Sequence, residues 1–254
     1  MLKYLLMALA GMAFLQELKA DLNLHRKIVY VGPDWKHVKR TNSFQTKQHG
    51  HLMGVRYGFE RFKRYGWYIG AEGYWGSGSL SGHSGSGVSL HSKFFQEWYE
   101  GRFGYTFQSK EGWQPSITPF AGYGWLKEKN NFTSPSPIHA HFKTEYSFAS
   151  FGTILSCYPT CDLQWRLNLE ARYPLSPKCY ISHDREMDPS KQRINERLQY
   201  FVEMPLVWRM NSIAFGAVPF YNSVIYGSHP NYPFNYIKTR FEYWGCFLNI
   251  QYQW

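Results

Sequence analysis

Ten charged residues stand at positions that alternate with apolar ones along the sequence: Arg56, Glu60, Glu72, Glu100, Arg102, Arg166, Glu170, Arg172, Glu203 and Arg209. Successive side chains of a strand point to opposite faces. These five arginines and five glutamates therefore share one face of their segments, and Leu, Tyr, Phe and Trp occupy the other. Such a set could form a charged channel or proton path. It could supply paired carboxylates for glycoside chemistry, or it could be a structural network in which each buried charge is neutralised by a neighbour. A narrow barrel is filled by its own side chains, which favours the network.

The other residues capable of chemistry are fewer. Of ten histidines, His37, His49, His83, His91, His139, His141, His183 and His229 fall in long polar links; His51 borders one, and His25 lies in a strand-like segment. His139 and His141 flank one residue, so an extended backbone puts both imidazoles on one side, a geometry that grips Zn²⁺ or Cu²⁺. The polar character of loops accounts for the same residues without a metal. Cys157 and Cys161 flank a short turn, CYPTC, and their spacing allows a disulfide across the hairpin foot. Cys179 falls in a long link and Cys246 on the last strand. No G-x-S-x-G, P-loop or H-E-x-x-H motif is present, and nothing indicates a cofactor.

The elements that must position these residues are strands. In 162–173, Leu163, Trp165, Leu167, Leu169, Ala171 and Tyr173 alternate strictly with Asp162, Gln164, Arg166, Asn168, Glu170 and Arg172. Twelve alternating residues exceed the usual strand of a soluble sandwich and suit a tilted membrane-spanning strand. Segments 52–62, 66–75, 95–107 and 197–209 repeat the pattern, and 116–127, 146–157 and 213–226 share its composition. Short links at 63–65, 108–115, 158–161 and 210–212 alternate with long polar links at 32–50, 76–93, 128–145, 174–196 and 227–239. With 22–31 as the first strand, this rhythm predicts ten strands of an antiparallel up-and-down transmembrane β-barrel; eight is the alternative count. Pro119, Pro205 and Pro219 fall inside predicted strands, where each removes a ladder bond unless it sits at a bulge. The Gly/Ser-rich stretch 76–89 is expected to be a mobile loop tip.

Composition agrees. Aromatics make up 19% of the chain, yet its mean hydropathy is −0.46. No segment after residue 20 approaches the roughly 20 apolar residues of a membrane helix, and so aromatic-rich a chain is not disordered. Residues 1–20 have the order of an export signal: Lys3, then Tyr4 to Leu15, then a small residue at Ala20. Residues 21–254 are then the mature barrel, and loss of Lys3, Glu17 and Lys19 takes the formal charge from +10 to +9.

At the C-terminus Trp244, Cys246, Leu248, Ile250, Tyr252 and Trp254 occupy alternate positions, and Phe247 breaks the rule. This resembles bacterial outer-membrane β-barrel proteins, whose last strand ends on an aromatic with apolar residues at alternate positions before it. The resemblance spans 21–254 at the level of pattern. It implies that Trp244, Leu248, Ile250, Tyr252 and Trp254 are the signal read by the barrel-assembly machinery, and that the chain sits in the cell outer membrane among lipid and lipopolysaccharide. Link 32–50 carries Lys36, Lys39, Arg40 and Lys47 against Asp34. Anionic partners follow: lipopolysaccharide phosphates, or an acidic polysaccharide on a host or neighbour. Nucleic acid is not expected to meet an exported barrel.

Ten strands also invite comparison with the omptin proteases. His183-Asp184 is superficially similar to their His/Asp pair, but link 76–93 contains no Asp or Glu to supply the partner carboxylates. Three functions stay open: a non-enzymatic barrel with a structural or surface-binding role through basic, His-containing loops; a small porin-like channel; and an outer-membrane hydrolase, lipid A-modifying or omptin-like.

Overall fold

The structure is a computed structural model that describes residues 25–109, 114–137, 140–183, 190–230 and 235–254. The export segment 1–20, His139 and Asp184 lie outside the described residues. Twelve strands run in order: β1 (His25–Asn42), β2 (Lys47–Lys63), β3 (Gly66–His83), β4 (Ser89–Gln108), β5 (Ser116–Phe132), β6 (Ala140–Cys157), β7 (Leu163–His183), β8 (Ser190–Arg193), β9 (Gln199–Glu203), β10 (Leu206–Met210), β11 (Ile213–Tyr226) and β12 (Thr239–Gln253). Every pairing is antiparallel. Strands β8, β9 and β10 all pair along β7, and β9 and β10 also pair with β11. They are pieces of one interrupted stave, so the wall has ten staves, as the spacing of segments predicts.

Closure comes from β1 against β12, in register from Ile28–Gln253 to Asn42–Thr239. The Lys27 amide donates to the Trp254 carbonyl at 2.9 Å, and the Trp254 amide donates back to the Lys27 carbonyl at 3.1 Å. A closed ladder leaves no sheet edge unpaired, which is the condition for β-structure in hydrocarbon. Two of the prolines are accommodated at an irregularity. Pro205 interrupts the eighth stave between β9 and β10, yet its carbonyl accepts from the Arg166 amide, and the Pro219 carbonyl accepts from the Met204 amide.

The tight connections at one end fall where the sequence places them, at 64–65, 158–162 and 211–212, and β4 ends and β5 begins on either side of the expected link 108–115. The long links do not. Strands continue through most of 32–50, 76–93, 128–145 and 174–196, leaving 43–46 and 84–88 as short connections between strands that run well past their expected ends. The physical reason is that alternation persists while its chemistry inverts. In the upper half Val38, Leu52, Leu80, Leu90, Phe94 and Leu126 point inward and are buried, whereas Lys39, His49, Ser79, Lys93 and Lys127 point outward. A polar exterior there makes a strand look like a loop. The stretch 76–89 is mostly β3, with its turn at 84–88. Its glycines have a packing role: a Cβ on Gly78 would overlap the His51 carbonyl of the neighbouring strand.

One bulge redirects side chains. The register of β7 on β6 skips between Glu145 and Ser147, and Ser176 adopts φ 48°. Odd-numbered residues of β7 face outward below this point and inward above it. Cys179, placed in a long link by its sequence context, is therefore buried in the upper core.

The lower exterior forms an apolar belt that includes Val29, Trp67, Ile69, Phe103, Ile117, Phe151, Leu206, Phe215, Leu248, Ile250, Tyr252 and Trp254, all exposed. Trp254 ends that belt and joins the barrel's two ends, whereas Gln253 is buried in the lumen. Deleting Trp254 should lower the folded fraction in membranes far more than Gln253→Ala, since it removes two closing hydrogen bonds and an apolar ring worth roughly 1.5–3 kcal/mol by area. Heat-modifiable gel mobility measures this; equal folding of both variants would remove the C-terminal reading.

Candidate functional site

The lumen is a stack of three layers. At the bottom Arg26 donates to the Tyr158 hydroxyl at 2.7 Å, beneath a file of Gln253, Gln251 and Asn249. Arg209 is half-buried beside this layer, its Nε without a partner.

The middle layer holds the remaining nine predicted lumen charges. Arg166 donates to Glu60 at 2.8 Å, and Glu60 also accepts from the Tyr68 hydroxyl at 3.1 Å. Arg102 bridges Glu72, Glu100 and Glu170 at 3.3, 2.9 and 2.7 Å. Arg172 meets Glu100 at 2.8 Å and also pairs with Glu170. Arg56 joins Glu203 at 2.6 Å, Glu72 at 3.6 Å and Asp34 at 2.8 Å. Burying an ion costs several kcal/mol unless its partners are well placed. Here the carboxylates are shared among guanidinium groups. The faces of those groups rest on aromatic rings: Arg172 on Phe201 at 4.0 Å, Arg166 on Phe62 at 4.6 Å and Arg56 on Phe247 at 4.8 Å. Phe247, the exception in the terminal pattern, turns inward to cover Arg56.

Four members of the interior network are absent from the sequence-based set: Asp34, Lys36 and Glu128, which lie in stretches that resemble loops, and Gln96, which is uncharged. Lys36 donates to Gln96 at 3.0 Å and caps the Tyr74 ring at 3.3 Å. Gln96 in turn donates to Glu128, which also accepts from Tyr226 at 2.6 Å and Tyr243 at 2.8 Å. The signal that could reveal them is parity: Asp34 and Lys36 share register with Ile28 and Tyr30, and Glu128 with Leu126.

Above this lies an apolar plug of Val38, Leu52, Leu80, Phe94, Ile194 and Phe241, roofed by Tyr236. Burial holds the Tyr236 hydroxyl well above the ordinary tyrosine range. The cavities left among these layers measure about 30, 20 and 10 Å³. Spaces that small hold an isolated water, not a file of them.

The remaining predicted residues are outside or at the ends. His141 lies on the outer face of β6, and among the described residues no group of three or more His, Cys, Asp or Glu suits a metal ion. His37, His49 and His51 gather on the outer face of β1 and β2, with His37 4.8 Å from His51 and 4.3 Å from Trp244 between ring centres. Cys157 ends β6 and Cys161 stands in the following turn, both as thiols; the bridge across the hairpin foot stays an expectation of their spacing. Trp244, Leu248, Ile250, Tyr252 and Trp254 share the outer face of β12.

Ten closed staves, an apolar belt outside and buried charges inside decide the architecture. The fold is that of a bacterial outer-membrane β-barrel. The chain is similar in structure to the outer membrane protease OmpT from Escherichia coli, with a TM-score of 0.52 at 8% identity over 94% of this chain and 99% of that one. It also matches the translocator domain of the autotransporter NalP from Neisseria meningitidis, at TM-score 0.47 and 10% identity over 98% and 94% of the two chains. The transport unit of the autotransporter AIDA-I from Escherichia coli matches at 0.43 and 10% over 98% and 96%. No family model and no curated protein matches the sequence. At these identities the likeness is one of fold.

The ion pairs make a specific energetic demand. Arg166→Met should destabilise the barrel by about 3–5 kcal/mol, because Glu60 is left charged and buried. The double variant Glu60→Gln/Arg166→Met should lose clearly less. Urea unfolding in lipid vesicles measures both; equal losses would mean that Glu60 and Arg166 do not compensate each other.

Proposed function

We propose that this chain is a closed, non-enzymatic outer-membrane barrel whose role is structural and surface-binding, exercised through the basic outer rim above its apolar belt. The packed lumen supports this reading: among the described residues the three cavities between the ionic layer and the apolar plug measure about 30, 20 and 10 Å³, too small for a hydrated solute. The rim then becomes the functional surface. Lys39, Lys47, Lys93, Lys127, Lys129, Lys143, Lys178, Lys238 and Arg240 face outward there, against Glu97, Glu145 and Glu242. Its field favours anionic partners such as phosphorylated saccharide or acidic polysaccharide. The rim lies partly on strands, which present it more rigidly than loops would. The protease named for the OmpT structure is that protein's own activity; in this sequence link 76–93, where the comparison with omptins calls for partner carboxylates, contains no Asp or Glu.

Single-channel recording of the refolded barrel in planar bilayers tests the reading. We expect a flat baseline without steady ion steps. Reproducible steps at low voltage would make the chain a pore instead.

A further inference from the structure

On the outer face of β5 and β6 two lysines stand directly opposite each other, Lys129 against Lys143. Like charges placed opposite across an antiparallel pair are destabilising. Their ammonium groups turn apart: Lys129 toward the Phe95 ring at 5.9 Å, Lys143 toward Glu145 at 2.5 Å and the Tyr180 ring at 5.4 Å. Between them opens a recess of about 370 Å³, lined also by Asn131, His141, Tyr180 and Ser182. Two cations, an amide, an imidazole and hydroxyls around one concavity form a receptor for a phosphate-like anion.

The height of this recess identifies the carrier of the anion. On the same face of β5, Ile117, Tyr123 and Trp125 belong to the apolar belt, and Lys127 and Lys129 follow at once. At about 3.3 Å per residue Lys129 lies roughly 13 Å along the strand beyond Trp125, less in height once the strand tilts, which is the level of lipid headgroups. Lower on the wall and displaced toward β1, with β5 as the shared strand, the surface is dented. Ala71, Gly73 and Gly101 floor a groove of about 670 Å³ whose rim is Tyr57, Tyr99 and Tyr123. A Cβ on Gly101 would meet nothing within 4 Å. The groove is almost wholly apolar and ends at the stacked pair Tyr99 and Trp125, 6.2 Å apart, just under the lysines.

We propose that this wall seats a phosphorylated lipid of the outer leaflet, with its phosphate between Lys129 and Lys143 and an acyl chain in the groove over Gly73 and Gly101. The inference rests on the reading of the basic rim as a binding surface and gives that surface one defined ligand class. Charge complementarity above and apolar shape below, joined along β5, distinguish this site from the rest of the rim.

The experiment titrates the folded barrel, in a non-ionic detergent, with a bisphosphorylated glucosamine lipid, its dephosphorylated counterpart, and sodium phosphate. Native mass spectrometry reads occupancy. Wild type should hold one equivalent of the phosphorylated lipid. Lys129→Gln/Lys143→Gln should weaken it about tenfold or more, since both charge-assisted contacts to the phosphate are lost. Lys129→Arg/Lys143→Arg should retain it, and Arg61→Gln/Lys63→Gln, exposed at the lower end of β2 and away from the rim, should change it little. Equal losses in the two glutamine pairs, or equal binding of the dephosphorylated lipid, would overturn the site. Sodium phosphate binding as tightly as the lipid would overturn the lipid assignment. None of these outcomes alters the conductance result, so failure here is separable from failure of the closed-barrel reading.

Discussion

Every backbone amide and carbonyl of the wall must find a partner inside the wall, because hydrocarbon offers none. Pairing β12 on β1 satisfies that demand at the last open edge. Once the ladder is closed, each stave has one face toward the lumen and one toward the surroundings, and the alternation of a single strand becomes a property of the whole molecule. A side chain's environment is then set by two coordinates: the parity of its position and its height along the stave. The charged network, the apolar belt, the plug and the basic rim are four combinations of these two.

Height matters because the outside medium changes. Beside hydrocarbon the outer face is apolar, and the lumen takes the polar residues, from Gln253 up to Glu128. Beside water the outer face carries lysine and histidine, and the lumen becomes an ordinary apolar core around Phe94, Leu126 and Phe241. The two interiors solve different problems. The lower one must neutralise buried charge, and it does so by sharing Glu72, Glu100 and Glu170 among Arg56, Arg102 and Arg172 and covering those guanidinium groups with rings. The upper one removes apolar surface from water. Together they fill the lumen among the described residues by different means.

The membrane-level half of this arrangement is legible in the sequence. Period-two alternation, aromatic outer rows and the terminal Trp254 pattern identify the staves and their number. The upper half reads as loop, because a strand with lysine and histidine outside and glycine or serine between them has loop composition. Parity was the surviving clue, and it would have joined Asp34, Lys36 and Glu128 to the network. Two features lie beyond such reasoning. The bulge at Ser176 is bracketed by Pro174 and Pro177, which mark a break but not its reversal of the faces of β7, so that Cys179 moves inward does not follow from the sequence alone. The break at Pro205 is visible as a proline, but that its carbonyl still bridges to β7 depends on the neighbouring strand. The outer recess between Lys129 and Lys143 was hidden for a third reason: the lysines sit on consecutive strands, and only the register puts them face to face.

The account's central claim is that one uninterrupted alternation runs the length of each stave around a sealed lumen, with its chemistry inverting at the membrane boundary. A single-cysteine scan along β4, in a background with the four native cysteines replaced, tests it most directly. Each variant is placed in vesicles and offered a water-soluble thiol reagent and, separately, a lipid-phase quencher against an attached fluorophore. Positions 99, 103 and 107 should be quenched from lipid, positions 91 and 93 should react from water, and positions 94, 96, 98, 100 and 102 should do neither. Loss of the alternation above residue 97, or water-phase labelling at 96, 98 and 100, would contradict the account.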